Sequence, residues 1–150
     1  MPFASTRMIP TGWSAHHQPG MVTAFNATIT ITDPARTIPG VFDPATMTSG
    51  PPTVFYVAGE TDPVPVRIQR LREENEQSQA GQDVPTRLYL LQAPADLPAI
   101  DVGYEVTVVT ATNDADLVGE TMKITDTQHG SERFTRDFVA SHNKQPVRSV

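Results

Sequence analysis

The tightest constraint on this chain is the strict two-residue alternation in Asn26-Ala27-Thr28-Ile29-Thr30-Ile31-Thr32. In an extended backbone Ala27, Ile29 and Ile31 fall on one face, and Thr28, Thr30 and Thr32 on the other. A strand with one apolar face must be covered by another such face. The second half of the chain supplies several. Residues 100–140 read as three strands, with a turn at Gly103 before the first and turns at Gly119 and Gly130 between them. In 104–110, Val106 and Val108 oppose Thr107 and Val109. In 121–127, Met122 and Ile124 oppose Thr121, Lys123 and Thr125. In 134–140, Phe134 and Phe138 are an even step apart and are expected to share a face.

Further extended runs lie at 54–57, 64–71 and 86–92. Val64, Val66 and Ile68 share a face, and Pro65 suits an edge or the start of a strand. With threonine, valine and proline abundant and strong helix formers sparse, the expected fold is all-β. It is a small antiparallel β-barrel with long loops and an extended or short-helical N-terminal arm. The expected strands are 22–32, 54–57, 64–71, 87–92, 104–110, 121–127 and 133–140. The expected core is Ile29, Ile31, Val66, Ile68, Leu88, Leu90, Val106, Val108, Met122, Ile124 and Phe138.

Around this body the chain divides into an arm (1–20), the barrel (21–140) and a polar tail (141–150). The arm allows a helix of two turns at most over 11–18, stopped by Pro19-Gly20, with Trp13 pinning it to the barrel. Two long loops interrupt the strands. Residues 33–53 carry Pro34, Pro39, Pro44, Pro51 and Pro52 and are too broken for regular structure beyond a brief extended piece at Val41-Phe42. Residues 72–85 are polar and lack an apolar stripe, so they read as a mobile loop or a short exposed helix.

Charge and composition narrow the functional classes. Residues 1–75 carry five basic and six acidic groups, whereas 76–150 carry six and eleven, so nearly all of the −6 net charge sits in the second half. Such a surface disfavours phosphate-backbone binding, which needs clustered lysine and arginine. It suits a wall that DNA passes without sticking, and it also simply keeps a small domain soluble. With no cysteine, disulfides and thiolate metal sites are excluded. No apolar run approaches the roughly 20 residues of a membrane-spanning helix and no signal peptide is visible, so a soluble protein is expected.

Catalytic patterns are weak. Asp114/Asp116 and Glu60/Asp62 are acidic pairs of the kind that usually cap solvated turns. Ser131, His129 or His142, and Asp137 could compose a triad on paper, but no nucleophile-elbow spacing surrounds any serine. The calcium-loop start at Asp114 lacks its third acid, glycine and closing glutamate. Adjacent His16 and His17 diverge on a helix and have no further ligand at metal spacing. The expectation is a non-enzyme without metal or cofactor.

An ordered set of short elements runs along most of the chain: Gly12-Trp13, His17 and Met21, the NATITIT strand, Phe42-Asp43-Pro44, Arg67-Ile68-Gln69, and Thr86-Arg87-Leu88-Tyr89-Leu90. Asp101-Val102-Gly103, Leu117-Val118-Gly119, Gly130-Ser131 and Phe134-Thr135-Arg136-Asp137 complete it. In this order and spacing the chain resembles the head-to-tail stopper, or head-closure, proteins of tailed bacteriophages of actinobacteria. The resemblance implies a small β-barrel that is a structural part and not an enzyme. It implies a closed ring of copies, sixfold or twelvefold, in the virion neck between capsid and tail, made in the host bacterial cytoplasm. The implied partners are the portal or adaptor above, the tail terminator or tail tube protein below, and packaged double-stranded DNA held without sequence-specific binding. No membrane is involved.

On that reading the loop with Glu73, Glu74, Glu76 and Asp83 is the candidate channel gate, and the proline-rich 33–53 loop a contact to an adjacent ring. Trp13, Arg67, Arg70, Arg87 and Arg136 are candidate ring or neighbour contacts. The rival class is an oligonucleotide-binding-type barrel, for which Arg67, Arg70, Arg72 and Arg87 would be the basic residues.

Overall fold

The computed structural model describes residues 11–71, 74–77, 83–129 and 134–143. A helix, α1 (Trp13–Val22), leads into β1 (Ala27–Thr32). There follow β2 (Phe42–Asp43), β3 (Thr48–Ser49), β4 (Tyr56–Ala58), β5 (Val64–Arg70) and β6 (Glu74–Gln77). Then come β7 (Asp83–Pro94), β8 (Glu105–Ala111), β9 (Thr121–Gln128) and β10 (Thr135–Asn143). Strands β10-β9-β8-β1-β5-β7 are hydrogen-bonded in that order and antiparallel, and pairing of β10 with β7 closes the ring into a six-stranded barrel. Closure removes the open edges that a flat sheet of these strands would leave.

The core follows from the registers. Ile29 faces Val64 on one side and Val108 on the other; Ile31 faces Val106, which faces Met122. Across the barrel Ala140 pairs with both Ile124 and Tyr89, and Leu91 sits between Ile68 and Phe138. Directly paired residues share a face, so these side chains converge inside, and Ile29, Ile31, Val66, Leu91, Val106, Ile124 and Phe138 are fully buried. Each such burial stabilises the fold by about 1.5–3 kcal/mol. On the outside, Thr28 and Thr110 share a 2.7 Å hydroxyl contact, and Thr107 and Thr121 one of 3.2 Å.

Four sequence expectations are corrected. First, Leu88 and Leu90 are not core; Tyr89, Leu91 and Ala93 are, while Ile68 is half-buried against them. The run Leu88-Tyr89-Leu90-Leu91 is apolar on both faces, so its own pattern does not fix its phase. The neighbours Ile68 and Phe138 do. Second, α1 continues through Pro19 to Val22 and the strand starts only at Ala27. Proline's fixed φ is itself helical, and only one backbone donor is lost. Third, within 72–85 the described residues form neither a loop nor a helix: β6 pairs with the start of β7, Glu74 opposite Thr86 and Gln77 opposite Asp83. Fourth, Phe134 lies just before β10 and stacks on Trp13, outside the core.

Segment 33–53 also has more order than its prolines suggest. Ile38 and Thr53 exchange backbone hydrogen bonds of 3.0 and 2.9 Å, Gly50 N–H donates to Val41 O at 2.9 Å, and β2 pairs with β3. The result is a hairpin arm over 38–53. Its root is fixed by the buried Asp33, whose Oδ1 accepts from Ala35 N–H at 3.0 Å and whose carbonyl accepts from Thr37 Oγ1 at 3.0 Å. Arg36 stacks 3.9 Å above the Phe55 ring beside it. Gly59, between β4 and β5, has φ 84°, and a Cβ there would lie 2.8 Å from Ile29 O, so only glycine lets the chain turn this close to β1.

Candidate functional site

Three inward-facing stripes end in charge at the same end of the barrel. Along β5, Val64, Val66 and Ile68 lead to Arg70; along β7, Leu91 and Tyr89 lead back to Arg87; along β10, Phe138 and Ala140 lead to His142. Glu120 continues the stripe of Met122 and Ile124 in the same direction. Arg70, Arg87, Glu120 and His142, with Asn26, Asp114 and Asp116, line an open cleft of about 410 Å³. His142 Nε2 lies 2.7 Å from Glu120 Oε2, with both groups partly shielded from solvent. Asp114 caps the single-turn helix Ala115–Leu117 by accepting from Asp116 N–H at 3.2 Å. Two arginines and a histidine thus face three carboxylates, and the mouth is polar but close to charge balance.

The corrected phase of β7 is what brings Arg87 here. With Leu88 and Leu90 inside, Arg87 would point away; with Tyr89 and Leu91 inside, it joins Arg70. The other two arginines lie elsewhere. Arg67 pairs with Gln92 on the outer face. Arg136 sits at the opposite mouth beside Ala93 and donates to Pro98 O at 2.9 Å. Sequence reasoning missed Glu120 and His142 as members of the mouth. The legible signal was the charged residue at the next even step past each apolar stripe.

The other candidates are scattered. Trp13 stacks on Phe134 with centroids 5.0 Å apart and on His17 at 4.4 Å, which holds α1 against the barrel flank. His17 Nδ1 is 2.9 Å from Trp13 O, and among the described residues no three His, Asp or Glu converge as a metal site. Ser131 and Glu73 lie outside the described residues. Asp137 accepts from Thr135 Oγ1 at the start of β10 and lines a small cavity with His129, whose Nε2 is 3.1 Å from Thr127 Oγ1, while His142 is bound to Glu120 near the strand's end; the serine of the paper triad lies outside the described residues. Glu60 and Asp62 are exposed in the turn before β5. Partial desolvation, and then the Asp101 carboxylate 3.3 Å from its hydroxyl, hold the Tyr104 phenol above its ordinary value.

The hairpin arm presents the most unusual surface. Ile38 is 65% exposed, Val41 85%, Phe42 54% and Met47 76%. Elsewhere, α1, the segment leading into β1 and the ends of β7 and β10 leave a groove of about 530 Å³. The molecule is therefore a small closed β-barrel bearing a flank helix and two appended hairpins. The chain belongs to a family of unknown function (DUF6093), whose profile matches residues 17–141. No curated protein and no solved structure matches it.

Proposed function

We propose that this chain is a structural part of a tailed-phage head-to-tail connector. It acts as a closed ring that holds packaged DNA and seats the tail. The observation that carries the reading is the hairpin arm. Four large apolar side chains of one hairpin are mostly exposed, and apolar surface left open in this way marks contact surfaces. A two-stranded hairpin standing alone is also only marginally stable in water. The arm is thus suited to a neighbour, and the sequence resemblance to head-closure proteins supplies the setting.

In that ring the β6–β7 hairpin is the channel element. Its segment carries Glu73, Glu74, Glu76 and Asp83. Repeated around a bore, these carboxylates repel phosphates at short range and leave little adhesion when the genome exits. The oligonucleotide-binding alternative is the weaker reading, because Arg70 and Arg87 share their cleft with Asp114, Asp116 and Glu120. The test is to remove this protein from the particle that encodes it. Heads that lose their DNA and carry no tails are expected; tailed, DNA-filled particles would refute the role.

A further inference from the structure

Helix α1 is made of residues that do not hold a helix together by themselves. At 10 residues it is shorter than the roughly 12–15 at which an isolated helix is marginal in water. Pro19 and Gly20 are the two least favourable residue types for a helix interior, and Pro19 lacks the N–H that would reach back to Ala15 O. The cap residue, Gly12, has no side chain to satisfy the first N–H groups. The first turn carries no acid and the last no base.

Packing does not make up the difference. No residue of α1 is buried, and Trp13 and Val22 are exposed. Trp13 and His17 meet the barrel at Phe134 through a small aromatic contact. Next to it the groove stays open, with Ala15, Pro19 and Val22 as one wall and Phe25, Pro94, Ala95 and Phe134 as the other.

Just past the helix the chain becomes firm. Asn26 N–H donates to Val66 O at 3.0 Å, its Oδ1 accepts from Ile68 N–H at 3.3 Å, and its carbonyl accepts from Thr112 N–H at 2.8 Å. These bonds clamp the start of β1 to β5 and to the end of β8, and the next residue, Ala27, is already core. Between clamp and helix stand Thr23 and Ala24, both exposed.

We infer that α1 is a strap that opens as one unit about Thr23 and Ala24 while the barrel stays folded. Closed, it walls the groove; open, it uncovers Phe25, Pro94 and Phe134 at the ends of β7 and β10. Segments of low local stability open in this way without global unfolding. The strap is a property of one chain and goes beyond the ring reading, so failure of the ring leaves it standing.

The test compares α1 with the barrel of the same molecule. Amide hydrogen exchange of the full chain is expected to show residues 16–22 protected less than about a hundredfold, and the amides of β1 and β8 about a thousandfold or more. Trp13 is the only tryptophan, so its emission follows the strap. In urea it should change at a lower midpoint than far-UV circular dichroism, which follows the strands. Pro19→Ala should raise the protection of α1 about tenfold or more and leave the barrel midpoint unchanged. Equal protection of α1 and β1, or coincident midpoints in the unaltered chain, would make α1 part of the barrel's cooperative unit and overturn the proposal. Unprotected α1 amides together with the emission of a free indole before any urea is added would also overturn it, because the strap would then never close.

Discussion

Truncating Leu91 and Leu90 separately tests the phase of β7, on which the composition of the polar mouth depends. Leu91 is fully buried, between Ile68 on β5 and Phe138 on β10. Both flanking strands are held by ladder hydrogen bonds, so the space left by Leu91→Ala cannot collapse. The cost should fall in the upper half of the usual range for such truncations, about 3–5 kcal/mol. Leu90 pairs with Gln69 and Val139 on the other face and is only half-buried. Leu90→Ala should cost about 1 kcal/mol, a fraction of full leucine burial. Urea unfolding reads the difference. With a slope of about 2 kcal/mol per molar, Leu91→Ala should lower the midpoint by roughly 1.5–2.5 M and Leu90→Ala by about 0.5 M, both with unchanged slope. If Leu90→Ala is as damaging as Leu91→Ala, the face assignment is wrong, and Arg87 leaves the mouth with it.

Further outcomes follow from single positions. Gly59→Ala places a methyl against Ile29 O at positive φ and should cost about 1–3 kcal/mol in urea unfolding. At Gly40 a Cβ would collide with the Gly50 carbonyl, so Gly40→Ala should open the arm to limited proteolysis within 38–53 while the barrel transition stays put. Trp13 is the only tryptophan, so Phe134→Ala should shift fluorescence emission to the red as the ring loses its stacking partner. Because the Tyr104 phenol is raised in the folded state, its contribution to stability is present below the ordinary value near 10 and is lost as pH climbs through the higher folded value. Tyr104→Phe should therefore flatten the alkaline loss of stability and leave the profile below about pH 9 unchanged, as read from urea midpoints across pH.

The barrel was legible because β1, β8 and β9 alternate cleanly, and alternation with one apolar face leaves a strand few alternatives. Ile29, Ile31, Val106, Val108, Met122 and Ile124 were readable as core for that reason. The phase of β7 was not, because Leu88 and Leu90 compete with Tyr89 and Leu91 and only cross-strand neighbours choose between them. Glu74–Gln77 has no apolar residue to announce a strand; its pairing with an extended β7 makes it one, as expected when strand formation depends on context more than on propensity. The arm was hidden by its prolines, which block edges but still permit an isolated hairpin. Each of Glu120 and His142 stands at an even step past an apolar stripe, but that they meet follows only once the closed strand order brings β9 and β10 together.

The claim that organises the account is that this barrel works as a closed ring of copies. Native mass measurement of the purified chain, with and without duplex DNA, tests it most directly. A single closed species at six or twelve times the 16.3 kDa chain mass, the same in both conditions, is the predicted result. A monomer at every concentration, or a larger mass that appears only when DNA is added, would contradict it.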